Sequence, residues 1–227
     1  MILQAARRGR LIGSPEAGFD FTSLGTIAAW YAARLETGFV DTDVPASLTD
    51  FSGNGRDASQ GTAGNRCRFD TGIQNGLPGF NWGLHDTWYD LVSSFATGSV
   101  LAVVNSSENP YGDFNGIWTE NGGSNLDFIL VNSGTTVLRN AGAFSTNLYV
   151  DQVKTTETAP VGTTKTVGGF HAGTPAAVPA YSLGRDGAAA SRSWVGYIFE
   201  VIVYETKLTE AQVQEGQAAL QSIYGIS

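Results

Sequence analysis

Eleven consecutive residues, Trp194-Val195-Gly196-Tyr197-Ile198-Phe199-Glu200-Val201-Ile202-Val203-Tyr204, are nearly all β-branched or aromatic, with one acid among them. The run is too short to span a bilayer and too rich in β-formers for a helix, so it reads as a buried strand. Beyond Tyr204 the pattern changes character. Thr209 stands three residues before Gln212, the spacing at which a hydroxyl and an amide satisfy the first backbone donors of a helix, which places a helix start near Glu210. Val213, Leu220, Ile223 and Tyr224 then recur at helical spacing and form one apolar stripe. A helix with such a stripe needs a surface to lie on, and the strand before it belongs to that surface.

The remaining sequence suits many short strands joined by turns. Glycine is abundant at 29 residues, charged residues make up only 15%, and Gly, Ser, Thr and Asn clusters interrupt short apolar runs throughout. Val100–Asn105 reads as a further buried strand. Ile117-Trp118, Leu126–Val131 and Thr135–Arg139 continue a meander whose turns hold Gly122-Gly123 and Asn132-Ser133-Gly134. A chain of 227 residues is compatible with one domain. The formal net charge of −8 repels phosphate backbones and anionic membranes, which argues against nucleic-acid binding. No apolar run is long enough for a membrane-inserted helix. Cys67 is the sole cysteine, so an intrachain disulfide and a cysteine-held zinc are both excluded.

Three blocks carry a resemblance. Gly196–Tyr204 followed by Leu208-Thr209-Glu210-Ala211-Gln212 is similar to the final strand and trailing segment of laminin-G-like domains in the concanavalin A-like lectin/glucanase superfamily. Ala29–Arg34 with Asp50–Ala58 resembles that family's opening strand and its "D-x-S-G-N-G-x-x-A" turn. Leu148-Tyr149-Val150-Asp151 resembles its "L-Y-V-D-G" hairpin, with Gln152 where glycine is usual. The likeness covers about residues 27 to 226 and is specific for fold, not for ligand. It implies an all-β, two-sheet antiparallel jelly-roll β-sandwich with a short C-terminal helix over residues 25–227, preceded by an N-terminal arm at 1–24.

Arg7, Arg8 and Arg10 stand within the first ten positions of this acidic chain, flanked by Ile2, Leu3, Leu11 and Ile12. They read either as a frayed terminus or, with slight preference, as an arm docking on an acidic partner surface. The same stretch lacks the continuous apolar run of a secretory signal. Asp50–Asp57 reads as a compact turn in which Asp50 caps amides, in preference to a calcium loop, whose six to eight oxygen ligands its spacing does not supply. No metal and no cofactor is expected.

The candidate ligand site is Trp82, His85, Asp86, Trp88, Tyr111 and Trp118. Aromatic faces stack on the C–H surfaces of sugars while carboxylates and imidazole fix hydroxyls. The competing reading, that alternating aromatics in paired strands fill the core, has more weight. Glucanases of the resembled superfamily present catalytic acids in a pattern close to "E-x-D-x-x-E", which this sequence lacks. The only histidines, His85 and His171, stand near no recognisable nucleophile elbow, so the chain is expected not to be an enzyme. Two non-catalytic functions remain, with a glycoside hydrolase as a third, less favoured alternative. One is a bacteriophage virion component, located in the particle, with other virion proteins and a second copy of itself as partners. The other is a carbohydrate-binding module of a bacterial surface or secreted protein, contacting cell-surface polysaccharide through Trp82, Trp88 and Tyr111.

Overall fold

A computed structural model describes residues 18–83, 86–107, 115–120, 128–131, 138–139, 144, 147–155, 162–187 and 192–227. In chain order the strands are β1 Ile27–Ala32, β2 Ser47–Leu48, β3 Ala58–Ser59, β4 Arg68–Gln74, β5 Leu77–Trp82, β6 Tyr89–Leu91, β7 Phe95–Ala96, β8 Ser99–Ser106 and β9 Asn115–Glu120. They continue with β10 Phe128–Val131, β11 Leu138–Arg139, β12 Leu148–Val150, β13 Val153–Lys154, β14 Lys165–Phe170, β15 Ala177–Val178, β16 Tyr181–Leu183 and β17 Gly196–Tyr204, before helix α1, Glu210–Tyr224.

Two large antiparallel sheets face each other as a β-sandwich. One runs β13-β12-β14-β8-β17-β5-β4, with β1 also on β17; the other runs β11-β10-β9-β16-β6-β3-β2. Between them lies a core of residues from both sheets, including Val104, Val201 and Trp82 from the first and Tyr89, Trp118 and Leu183 from the second. The first sheet is apolar on its outer face too, where Leu101, Val103, Ile202 and Tyr204 pack with Val213, Leu220 and Tyr224 of α1. A strand covered on both sides has no reason to alternate, which accounts for the unbroken apolar run in β17.

Strand β17 is the hub. Its whole length pairs with β8, its first residues with β5, and Glu200–Tyr204 with β1. A bulge interrupts the β8 ladder between Ile198 and Glu200. The extra residue shifts the alternation, so Ile198 and Val201 both point into the inter-sheet core while Phe199 joins the layer under α1. Glu200 faces that layer as well and is completely buried. It accepts hydrogen bonds from Trp30 Nε1 at 2.7 Å, from Arg34 Nε at 2.8 Å and Nη2 at 3.0 Å, and from Tyr224 Oη at 3.0 Å. Burial alone would lower the Arg34 guanidinium, but the Glu200 charge and hydrogen bonding, together with Tyr224, outweigh it and hold the group above its ordinary value.

Helix α1 starts where the sequence places it. Thr209 and Gln212 form the reciprocal capping box, and Gly225, in left-handed conformation at φ 61°, ends the helix. The buried stripe is Val213, Gly216, Gln217, Leu220 and Tyr224, with Ile223 only half-buried. Gly216 is there because a Cβ would stand 2.4 Å from Leu101 Cδ1. Gln217 is an amide tie to the sheet: its Nε2 donates to the Tyr149 and Thr166 carbonyls, and its Oε1 accepts from the Gln152 amide at 3.1 Å.

The Asp50–Asp57 segment is a turn held by the Asp50 carboxylate and tied through it to β1. Asp50 Oδ1 accepts from the Trp30 and Ser52 amides, and Oδ2 from the Arg56 amide and the Ser52 hydroxyl. In the β12–β13 hairpin both Asp151 and Gln152 take positive φ, and Gln152 holds the place usual for glycine through contacts to α1.

Candidate functional site

On the outer face of the second sheet, away from the core, a row of polar residues runs across four strands in register. Ser59 of β3 pairs with Asp90 of β6, Asp90 with Ser182 of β16, and Ser182 with Thr119 of β9. Their sequence neighbours Tyr89, Leu91, Tyr181 and Leu183 point inward, so strand alternation puts the polar row on the sheet's other face, where Thr119 and Ser182 are nevertheless fully buried.

Arg185 lies over this row. Gly184, at φ 81°, turns the chain out of β16, and only glycine fits because a Cβ would stand within 2.0 Å of Trp82 Nε1. The following Arg185 then reaches back, its Nη2 donating to Asp90 Oδ1 at 3.0 Å and to Ser182 Oγ at 2.9 Å. Ser182 Oγ in turn donates to Asp90 Oδ1 at 2.8 Å. The Arg185 carbonyl accepts from Thr119 Oγ1 at 2.7 Å, which ties the backbone to the same row. Arg185 is only 5% exposed, and its Nε has no hydrogen-bond partner among the described residues. Burial lowers the guanidinium from its ordinary value, with Asp90 offsetting part of the effect.

The indole of Trp88 stacks on this guanidinium, with Cζ 4.4 Å from the ring centroid. Trp88 is further held by Nε1 donating to Asp90 Oδ2 at 3.1 Å, by its amide donating to the Asn65 carbonyl, and by its carbonyl accepting from Gln60 Nε2. A half-buried indole fixed in this way loses little conformational freedom when something stacks on it. Asp86 is exposed two residues before it.

The sequence-derived site divides accordingly. Trp88 and Asp86 reach the surface. Trp82 and Trp118 do not: both are fully buried between the sheets, Trp82 edge-on to Phe80 and Tyr89, Trp118 stacked on Tyr181. These two are therefore corrected from ligand platform to core, because β5 and β9 turn those positions inward. His85 and Tyr111, and Arg7, Arg8 and Arg10 of the arm, lie outside the described residues. Sequence reasoning misses Asp90, Ser182 and Arg185. Asp90 and Arg185 are 95 positions apart, and each alone looks like an ordinary surface charge. Among the described residues no group of three or more His, Cys, Asp or Glu could hold a metal ion. No helix among them is long and apolar enough to cross a membrane.

No protein-family profile matches the chain, and no curated protein sequence does. Solved structures do. The chain is similar to Trypanosoma rangeli sialidase in complex with 2,3-difluoro-KDN, with a TM-score of 0.50 at 10% identity, over 87% of this chain and 33% of that one. A mutant of the same sialidase displaying trans-sialidase activity gives a TM-score of 0.44 at 13% identity, over 89% and 34%. The chain thus spans about a third of the length of the sialidases it matches, and at such identity the likeness is one of fold. Two expectations are corrected by it. The virion component has nothing in its favour, since the matched structures are sialidases. The expectation that the chain is not an enzyme is also overturned, since the solved structure it resembles in fold is a sialidase.

Proposed function

We propose that this chain is the carbohydrate-recognising β-sandwich of a glycoside-processing protein, and that it reads its ligand on the outer face of the second sheet around Trp88. We further read its routing as the jelly roll of the concanavalin A-like superfamily. The observation that carries the functional reading is the Trp88 indole, half-exposed yet immobilised by Arg185, Asp90 and two backbone contacts. Sugar rings bind to such a surface because an aromatic face meets their C–H groups while neighbouring carboxylates accept from hydroxyls. Asp86 and Asp90 supply those acceptors. The sialidase structure to which the chain is similar in fold is a complex with 2,3-difluoro-KDN, which makes glycans the ligand class to test first.

A glycan array containing neutral and sialylated oligosaccharides, followed by calorimetry, tests the reading. An aryl-glycoside hydrolysis assay on the same protein tests turnover. Trp88→Ala should weaken glycan binding by about tenfold or more, the effect of losing about 1.4 kcal/mol, while leaving the fold intact by circular dichroism. A folded wild-type protein that binds no glycan, or one whose binding survives Trp88→Ala, overturns the proposal.

A further inference from the structure

We propose that residues 1–17 of the N-terminal arm dock along helix α1 of their own chain, seating Leu11 and Ile12 in the shallow groove beside Ala218 and Ala219 and placing Arg7, Arg8 and Arg10 against the acids of that helix. The groove is lined by Gly18, Phe19, Glu215, Ala218, Ala219 and Ser222. Its helical wall bears small side chains, so an apolar side chain from a passing segment can sit close to the helix backbone. Phe19 supplies the opposite wall, its ring edge-on to Phe21 at 5.0 Å.

Three features select this occupant. The first is where the arm joins: Gly18, the first described residue, is itself part of the groove wall and turns with φ 61°. The second is continuity with an existing interface. Immediately downstream, Phe21 and Leu24 are buried in the layer under α1, and the Leu24 carbonyl accepts from Gln212 Nε2 at 2.9 Å. Docking of the arm extends that contact backwards along the same helix. The third is charge. From Leu208 to Ser227 the chain has Glu210 and Glu215 and no lysine or arginine, whereas residues 1–17 hold three arginines and one acid, Glu16. Reach is sufficient: the stretch from Arg7 to Gly18 spans up to about 36 Å when extended, against about 22 Å for a helix the length of α1.

The full chain tests this through a pair of introduced thiols, Leu11→Cys with Ala218→Cys, under a glutathione redox buffer. Ala218 is exposed, so the substitution leaves the packing of α1 alone. Cys67 is buried and stays out of the exchange. The control pairs Leu11→Cys with Val92→Cys, which is 92% exposed beside β6 of the other sheet. An intramolecular disulfide in the monomer, formed about tenfold faster than in the control, is the expected result, because docking raises the effective concentration at the groove. Adding Arg10→Glu should slow it, and adding Glu215→Arg to that variant should restore it. Equal rates in test and control overturn the proposal. So does a disulfide-linked dimer as the main product, which would assign the groove to a second copy.

Discussion

Replacing Glu200 by alanine removes the common acceptor of three elements: Trp30 from β1, Arg34 from the short 3-10 turn after it, and Tyr224 from α1. The Arg34 side chain is only 7% exposed, so the change strands a guanidinium in the protein interior with no counter-charge among those contacts. Breaking a buried pair from one side costs about 3–5 kcal/mol, a large part of the roughly 5–15 kcal/mol that separates folded from unfolded domains. For a chain of this size that corresponds to a melting temperature lower by about 6–20 °C. Urea denaturation followed by tryptophan fluorescence measures it, with circular dichroism reporting α1 separately. A second pair of variants isolates the charge: Arg34→Met alone leaves Glu200 buried and uncompensated, whereas Arg34→Met with Glu200→Leu removes both charges. The double variant should be more stable than either single one, with a coupling energy of at least about 2 kcal/mol. A loss below about 1 kcal/mol for Glu200→Ala, or additive single changes, would refute the view that this pair locks helix to sheet.

Two other carboxylates give measurable outcomes. Burial alone would raise the Asp70 carboxyl, but hydrogen bonds from Arg68, Asn81 and Tyr197 outweigh it and hold the group below the ordinary carboxylate range. Its contribution is therefore complete above the unfolded-state value of about 3.9 and is lost as pH falls through the lower folded value. The stability gap between wild type and Asp70→Asn, read from urea midpoints at pH 7, 4 and 3, should narrow on acidification; a constant gap contradicts it. Asp50→Ala removes four hydrogen bonds from the 50–57 turn, three of them from backbone amides. It should destabilise by about 2–4 kcal/mol, since bonds to a charged acceptor contribute about 1.5–3 kcal/mol each and are not additive. Proteolysis should then begin in that turn.

Much of the first sheet and all of α1 can be read in the sequence because local signals and tertiary packing agree there. The Thr209–Gln212 box and the β-branched run predict what is found, and the apolar stripe does so at Val213, Leu220 and Tyr224, while missing Gly216 and Gln217. The bulge at Phe199 leaves no such mark: nothing in Tyr197-Ile198-Phe199-Glu200-Val201 says that one residue falls out of the ladder, yet that shift turns Glu200 towards Arg34. The aromatic site is half legible for a related reason. Trp82 and Trp88 look alike in sequence, and the side each faces depends on strands β5 and β6 lying in different sheets. Arg185 becomes visible only when β16 is placed beside β6, which brings it onto Asp90.

The position of β17 in the chain also bears on how the protein is made. Residues 196–204 come after all the strands they join, so on a ribosome β8, β5 and β1 emerge first and wait with open backbone edges and uncovered apolar faces. Sheet closure, being long-range, leaves those strands exposed to chaperones and to self-association until β17 has been made. Cells producing this protein have to shelter an assembly whose central beam arrives only after every strand it joins.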